Sequence, residues 1–179
     1  DCVRKMKKSL LALASGTLGL GIAEFVMMGI LPNVASDMGI SIPQAGHFIS
    51  AYALGVCVGA PLAAAFSQNR SLKQVLLALS LIYIIGNFCA ALSVGYGMLL
   101  CMRFISGLPH GAFFGAGSIV AEKVADEGKA SQAVSVMIAG MTIANLFGVP
   151  LGTMLSNLIS WRVPFLFNTA WGVLMFVLI

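Results

Sequence analysis

Six apolar stretches, each close to the length that crosses a bilayer, leave this chain few folds to choose from. They cover roughly residues 9–31, 44–66, 75–94, 98–120, 131–159 and 163–179. A helix rising 1.5 Å per residue needs about 20 apolar residues to span a hydrocarbon core of about 30 Å. A membrane barrel strand takes about ten residues of alternating character, and these runs are far longer. The chain is 59% apolar and only 9% charged, whereas soluble domains carry about 25% charged residues. It cannot cover a water-facing surface, so lipid must be its main solvent. The expected fold is all-α, a polytopic membrane bundle of six transmembrane helices filling residues 1–179. The first run follows Arg4, Lys5, Lys7 and Lys8 as a signal peptide would. It is longer than the 7–15 apolar residues of a cleaved signal, which points to an uncleaved anchor.

The net charge of +4 is a topology signal and not a nucleic-acid footprint. Four basic residues precede the first run, Arg70 and Lys73 separate runs two and three, and Lys123 and Lys129 separate runs four and five. The alternate connections hold only Arg162. The positive-inside rule then places the N-terminus and the 67–74 and 121–130 connections in the cytoplasm of a plasma membrane, the inner membrane in a bacterium. All connections are short, so no soluble domain is expected. The chain opens without methionine and closes inside an apolar run, so a longer parent is expected.

An internal echo divides the chain. Gly59-Ala60-Pro61-Leu62 and Gly148-Val149-Pro150-Leu151 lie 89 residues apart, each on the second helix of a three-helix set. The two helices run in opposite directions, which makes the sets inverted repeats. Matched Gly/Pro-interrupted spans of this kind point to a transport site. Small residues four apart, such as Gly107, Gly111 and Gly115, let membrane helices approach closely.

Two charges lie inside the runs. Glu24 is the only charge of residues 9–31 and Arg103 the only one of residues 98–120. Each costs about 2.5–3.5 kcal/mol at mid-bilayer, and such residues normally serve a function. Counted from the run ends, the two sit within roughly 3 Å of the same depth. Thr17, Gly21 and Glu24 share one helix face, and Arg103, Gly107 and His110 share another. If the first and fourth helices are neighbours, moving Arg103 toward or away from Glu24 switches the protonation of the carboxyl, which is what proton-coupled transport requires. The other reading is a static ion pair. His110 can relay protons near neutral pH, and Asn145, beside the Gly148–Pro150 break, can face a substrate path. Asn87 calls for an interhelical hydrogen bond. Tyr52, Tyr83, Phe113 and Trp171 are candidates to line an aromatic cavity. Trp161 reads as an interfacial anchor.

Cys2, Cys57, Cys89 and Cys101 form no C-x-x-C pair, and two histidines make no metal site. The chain has no Walker loop, G-x-S-x-G or H-E-x-x-H. No cofactor, metal or enzymatic activity is expected.

Arg103-Phe-Ile-Ser-Gly107 resembles the R-x-x-x-G motif of the major facilitator superfamily. Gly140-Met-Thr-Ile-Ala-Asn-Leu-Phe-Gly148-Val-Pro150-Leu-Gly152 resembles that family's antiporter motif. Gly19-Leu-Gly-Ile-Ala-Glu24-Phe25 is similar to the first span of its drug:proton antiporter branch. The segments A-E-F-V-M-M-G-I-L-P, I-S-A-Y-A-L-G-V and P-H-G-A-F-F-G-A-G look like the arabinose-efflux and purine-efflux permeases. The resemblance covers essentially the whole chain. It implies the N-terminal half of a twelve-helix transporter, with a missing C-terminal six-helix half as partner. It further implies efflux of a small organic solute, such as a sugar, drug or nucleoside, in exchange for protons. Arg103 would act in proton relay, Glu24 in proton or cation binding, and Gly140, Gly148, Pro150 and Gly152 in gating. The inner-loop gate of the family corresponds to Gly59, Arg70 and Lys73. Its aspartate position holds Ala63, so the carboxylate of that latch is missing there. An uncoupled uniporter of the same fold and a non-transporting membrane sensor or scaffold are the alternative functions.

Overall fold

The computed structural model describes the backbone from residue 2 and the side chains from residue 8 to residue 179. Cys2 and the basic residues Arg4, Lys5 and Lys7 lie outside the described side chains. The elements are α1 (Cys2–Met38), α2 (Ile42–Ser67), α3 (Leu72–Ala91), α4 (Tyr96–Val124), α5 (Ala130–Ile143), a π-helical segment (Ala144–Gly148), α6 (Val149–Leu158) and α7 (Val163–Leu178). No strand occurs among the described residues. Five spans are long and apolar enough to cross a membrane, the fifth being α5 to α6 taken together. The sixth, α7, has 16 residues and a length of about 24 Å.

Helix ends differ from the hydropathy boundaries for local reasons. α1 does not stop at Leu31 but runs through Pro32 to Met38. Gly39, at φ 63°, ends it. Its N–H donates to the Ser36 carbonyl at 3.3 Å, and the Ile40 N–H donates to Ala35 at 3.0 Å. This is the paired bonding of a Schellman stop, which needs a left-handed residue and selects glycine. α2 and α3 both begin at a Ser-x-x-Gln capping box, Ser41 with Gln44 and Ser71 with Gln74, which satisfies otherwise orphaned amides. The fifth span breaks where the sequence suggested. Pro150 has no N–H for the Leu146 carbonyl, and its ring crowds that carbonyl. The helix widens upstream, and Val149 donates to Ala144 five residues back.

The packing obeys the inverted repeat. α2 packs most heavily on α4, and α5 packs on α1, so each repeat's second helix lies against the other repeat's first. Glycine makes both seams possible. A methyl group built on Gly55 or Gly59 would collide with the main chain of α4 at Phe104 or Leu108. One built on Gly140 would collide with the Ala14 carbonyl of α1. Gly148 and Gly152 continue that seam against Ile22 and Val26. The stripe on α4 is not uniform: Gly107 abuts the Tyr52 main chain, while Gly115 faces open space.

At the end where α1 stops, Trp161 is buried and donates its indole N–H to Asp37 at 2.8 Å. Arg162 covers the indole ring at 4.3 Å and donates to the Ala91 and Ser93 carbonyls at 2.8 and 2.6 Å. Trp161 therefore ties α1 to the α6–α7 connection and is more than an interfacial anchor. Gly55→Val should force α2 off α4 and destabilise the full-length protein by about 1–3 kcal/mol, read as a fall in melting temperature. Gly115→Ala should stay within about 0.5 kcal/mol of the parent.

Candidate functional site

Three helices meet around Arg103. α4 carries the side chain into the bundle, where it is completely buried. Nη1 donates to the Ala23 carbonyl at 2.6 Å, Nη2 to the Glu24 carbonyl at 3.4 Å, and Nε to the Phe48 carbonyl at 3.2 Å. The guanidinium also lies over the Tyr52 ring, 4.4 Å from its centroid. A carbonyl oxygen has two lone pairs, so one within a helix can accept a second bond. Arg103 thus exchanges water for main-chain oxygens of α1 and α2 and for an aromatic face, which is how a desolvated cation becomes tolerable.

The Glu24 carboxylate turns elsewhere. Its oxygen lies 3.7 Å from Nε2 of His110, and its side chain is 28% exposed. Arg103 meets the backbone of Glu24 but forms no ion pair within 4.0 Å with its carboxylate. His110, one turn beyond Gly107 on α4, is buried and stacks on Phe114 with ring centroids 5.3 Å apart. Its Nδ1 is 3.0 Å from the Tyr52 hydroxyl. That hydroxyl lies 3.4 Å from the Leu20 carbonyl.

This chain of groups has two self-consistent proton arrangements. With Glu24 ionised, Tyr52 O–H donates to Nδ1 and the proton on Nε2 faces the carboxylate. With Glu24 protonated, its O–H faces a bare Nε2, Nδ1–H donates to the Tyr52 oxygen, and the tyrosine proton turns to the Leu20 carbonyl. The imidazole is neutral in both, and only its tautomer changes. The ring of Tyr52 meanwhile carries Arg103. Glu24, His110, Tyr52 and Arg103 therefore form one contiguous unit across α1, α2 and α4.

The other sequence candidates lie apart from this unit. Asn145 is exposed on the π-helical segment. Its neighbour Ala144 packs against Gly21, three residues before Glu24. Gly140, Gly148 and Gly152 line the α1 seam, and Pro150 is exposed. Gly59 lies on α4 at Leu108, and Arg70 and Lys73 are exposed around the α2–α3 connection. Thr17 does not open onto the site: its hydroxyl donates to the carbonyls of Met137 and Ala14. Tyr83 and Trp171 hydrogen-bond to the Gly19 and Ser15 carbonyls, both at 2.8 Å, and tie α3 and α7 to α1. Asn87 accepts from Asn168 at 3.4 Å. No cluster of three metal-ligating side chains occurs among the described residues. Tyr52 is the member whose role the sequence left open. Its signal was a phenol at bilayer depth, away from the interfaces where tyrosine usually sits, and so in need of a partner.

The comparisons with known proteins agree with this architecture. AraJ of Escherichia coli (strain K12) is 56% identical over 161 residues, covering 90% of this chain and 41% of AraJ. The inner membrane transport protein YdhP of the same organism is 44% identical over 173 residues, covering 97% of this chain and 44% of YdhP. A chloramphenicol resistance protein of Streptomyces lividans is 31% identical over 160 residues, covering 89% of this chain and 41% of that protein. This chain thus spans about two-fifths of the length of these relatives. Among solved structures, a peptide transporter POT in complex with sulfate superposes with a TM-score of 0.82 at 14% identity, over 96% of this chain and 37% of that one. That likeness speaks to the fold alone. The family described as the Major Facilitator Superfamily matches residues 13–179, and the chain, a multi-pass membrane protein, belongs to it.

Proposed function

We propose that this chain is the N-terminal half of a secondary transporter that moves a small organic solute out of the cell in exchange for protons. The observation that carries the reading is the unit Glu24–His110–Tyr52–Arg103. It joins a partly exposed carboxylate to a buried cation through two groups that can hand a proton on. Proton arrival at Glu24 takes the negative charge away from Nε2–H of His110, so the tautomer equilibrium of the neutral ring shifts toward the form whose Nδ1–H donates to the Tyr52 oxygen, and Tyr52 turns from donor to acceptor there. Because the Tyr52 ring supports Arg103, and Arg103 clamps α1 and α2, the charge state of Glu24 biases how these helices sit against one another. Such a link between protonation and helix packing is what alternating access by exchange needs.

The export direction is supported by the name of the Streptomyces relative, a resistance protein. A bacterial inner-membrane location with a cytoplasmic N-terminus is supported by the name of YdhP and by the distribution of Lys and Arg. The partner half is a second six-helix bundle. α2 and the fifth span, the least buried of the five long spans, offer it the broadest faces. Asn145, on the fifth span, is placed to meet a solute between the halves, and Gly140, Gly148, Pro150 and Gly152 let that span shift along α1. Gly59, Arg70 and Lys73 belong to the cytoplasmic gate. Partners are protons, the solute and lipid, with no nucleic acid.

In vesicles holding the full-length protein, a panel of sugars, nucleosides and chloramphenicol tests coupling. Glu24→Gln should abolish solute movement driven by an imposed pH gradient while solute-for-solute exchange persists. Undiminished pH-driven flux in that variant would remove Glu24 from the mechanism. Arg103→Ala should cost stability by about 2–3 kcal/mol through lost charge-assisted hydrogen bonds and abolish transport in protein that still inserts. Retained transport would make Arg103 a mere clamp. Tyr52→Phe keeps the ring under Arg103 but removes the hydroxyl. It should uncouple flux from the pH gradient with little change in melting temperature.

A further inference from the structure

α2 and α3 are joined by the short connection 68–71, yet they barely touch, because both pack chiefly on α4. The gap between them is a crevice of about 420 Å³ at the end of the bundle where α2 stops and α3 starts. That is within the roughly 300–1,000 Å³ of ligand clefts. Its walls are apolar: Leu62 and Phe66 from α2, Ala78 and Ile82 from α3, and Leu108 of α4 behind. Polar groups gather at one end only, where Arg70 and Gln74 line the mouth. Phe66, 76% exposed, lines the same crevice as Arg70.

The charge at that mouth is one-sided. Arg70 is exposed and forms no ion pair with an acid among the described residues, while Lys73 lines a separate pocket against α1 and α7. The sequence holds no Asp or Glu between Asp37 and Glu122. The acids beyond, Glu122, Asp126 and Glu127, lie at or after the end of α4, and none lines the crevice. The N-terminus of α3 opens beside the same mouth and adds the positive end of its dipole. An apolar slot in the membrane, ending in a guanidinium and a helix N-terminus at headgroup level, has the shape and polarity of an acidic lipid.

We propose that this crevice binds an anionic phospholipid, with one acyl chain between α2 and α3 and the phosphate held by Arg70 at the N-terminal end of α3. The guanidinium fork matches two phosphate oxygens, and a basic rim between membrane helices favours acidic headgroups. The bound chain fills the space that α2 and α3 leave between them, so the lipid braces two helices that do not brace each other.

Native mass spectrometry of the full-length protein tests this, with phosphatidylglycerol or phosphatidylcholine of identical acyl chains offered in detergent. Phosphatidylglycerol should remain bound preferentially. The variant Arg70→Gln should lower its retention by about fivefold, and the charge-preserving Arg70→Lys should keep most of it. Ala78→Trp, which fills the slot and leaves Arg70 in place, should lower retention of both lipids. Equal retention of the two lipids by the parent would overturn the proposal. So would undiminished phosphatidylglycerol retention in the glutamine variant or in Ala78→Trp, or equal loss in the charge-preserving variant.

Discussion

A guanidinium with no water around it must find oxygen somewhere, and Arg103 finds it on the main chains of two neighbouring helices. That requirement organises the rest of the site. Donation to Ala23, Glu24 and Phe48 fixes the depth of α4 against α1 and α2. The ring of Tyr52 closes the remaining face of the cation. Once Arg103 is satisfied by backbone, the Glu24 carboxylate is free to address His110. A direct ion pair would have locked both charges. The arrangement found here offsets the cost of the cation with main-chain oxygens and leaves the Glu24 carboxylate without an ion pair to Arg103.

Glycine supplies the second constraint. Main-chain carbonyls can receive Arg103 only if the helices lie close, and the seams at Gly55, Gly59 and Gly140 leave no room for a methyl group. The same device serves both repeats, with α2 against α4 and α5 against α1. The two seams differ in one respect. The fifth span carries the π-helical segment above Pro150, whereas α2 carries Pro61 inside a continuous α-helix. The repeat is thus symmetric in packing and asymmetric in backbone, and the irregular copy is the one that bears Asn145. A widened turn at one span of such a pair is a common mark of a functional position.

Much of the fold was legible because lipid makes hydropathy a nearly complete description of where helices run. The six-helix bundle and the inverted repeat follow from run lengths and the glycine–proline echo, while the depth of two charges makes the closeness of α1 to α4 a condition that the packing meets. Helix ends were less legible. The Schellman stop at Gly39 and the two Ser-x-x-Gln boxes are decided by one or two residues inside weakly polar stretches. At the site, sequence paired the acid with the cation because opposite charges at one depth attract. It overlooked that main-chain oxygens can compete for a guanidinium, and that an imidazole two helical turns along α4 can face the acid. Tyr52 was placed among cavity aromatics since its partners lie on α1 and α4, and no spacing within α2 reports them.

The most direct measurement is nitrogen NMR of labelled His110 in the full-length protein in bilayers, followed while Glu24 is titrated. The account predicts a neutral ring that carries its proton on Nε2 in alkaline conditions and on Nδ1 in acid conditions, with no tautomer change in Glu24→Gln. A ring that keeps one tautomer throughout, or that becomes a doubly protonated imidazolium as Glu24 takes up its proton, would contradict it.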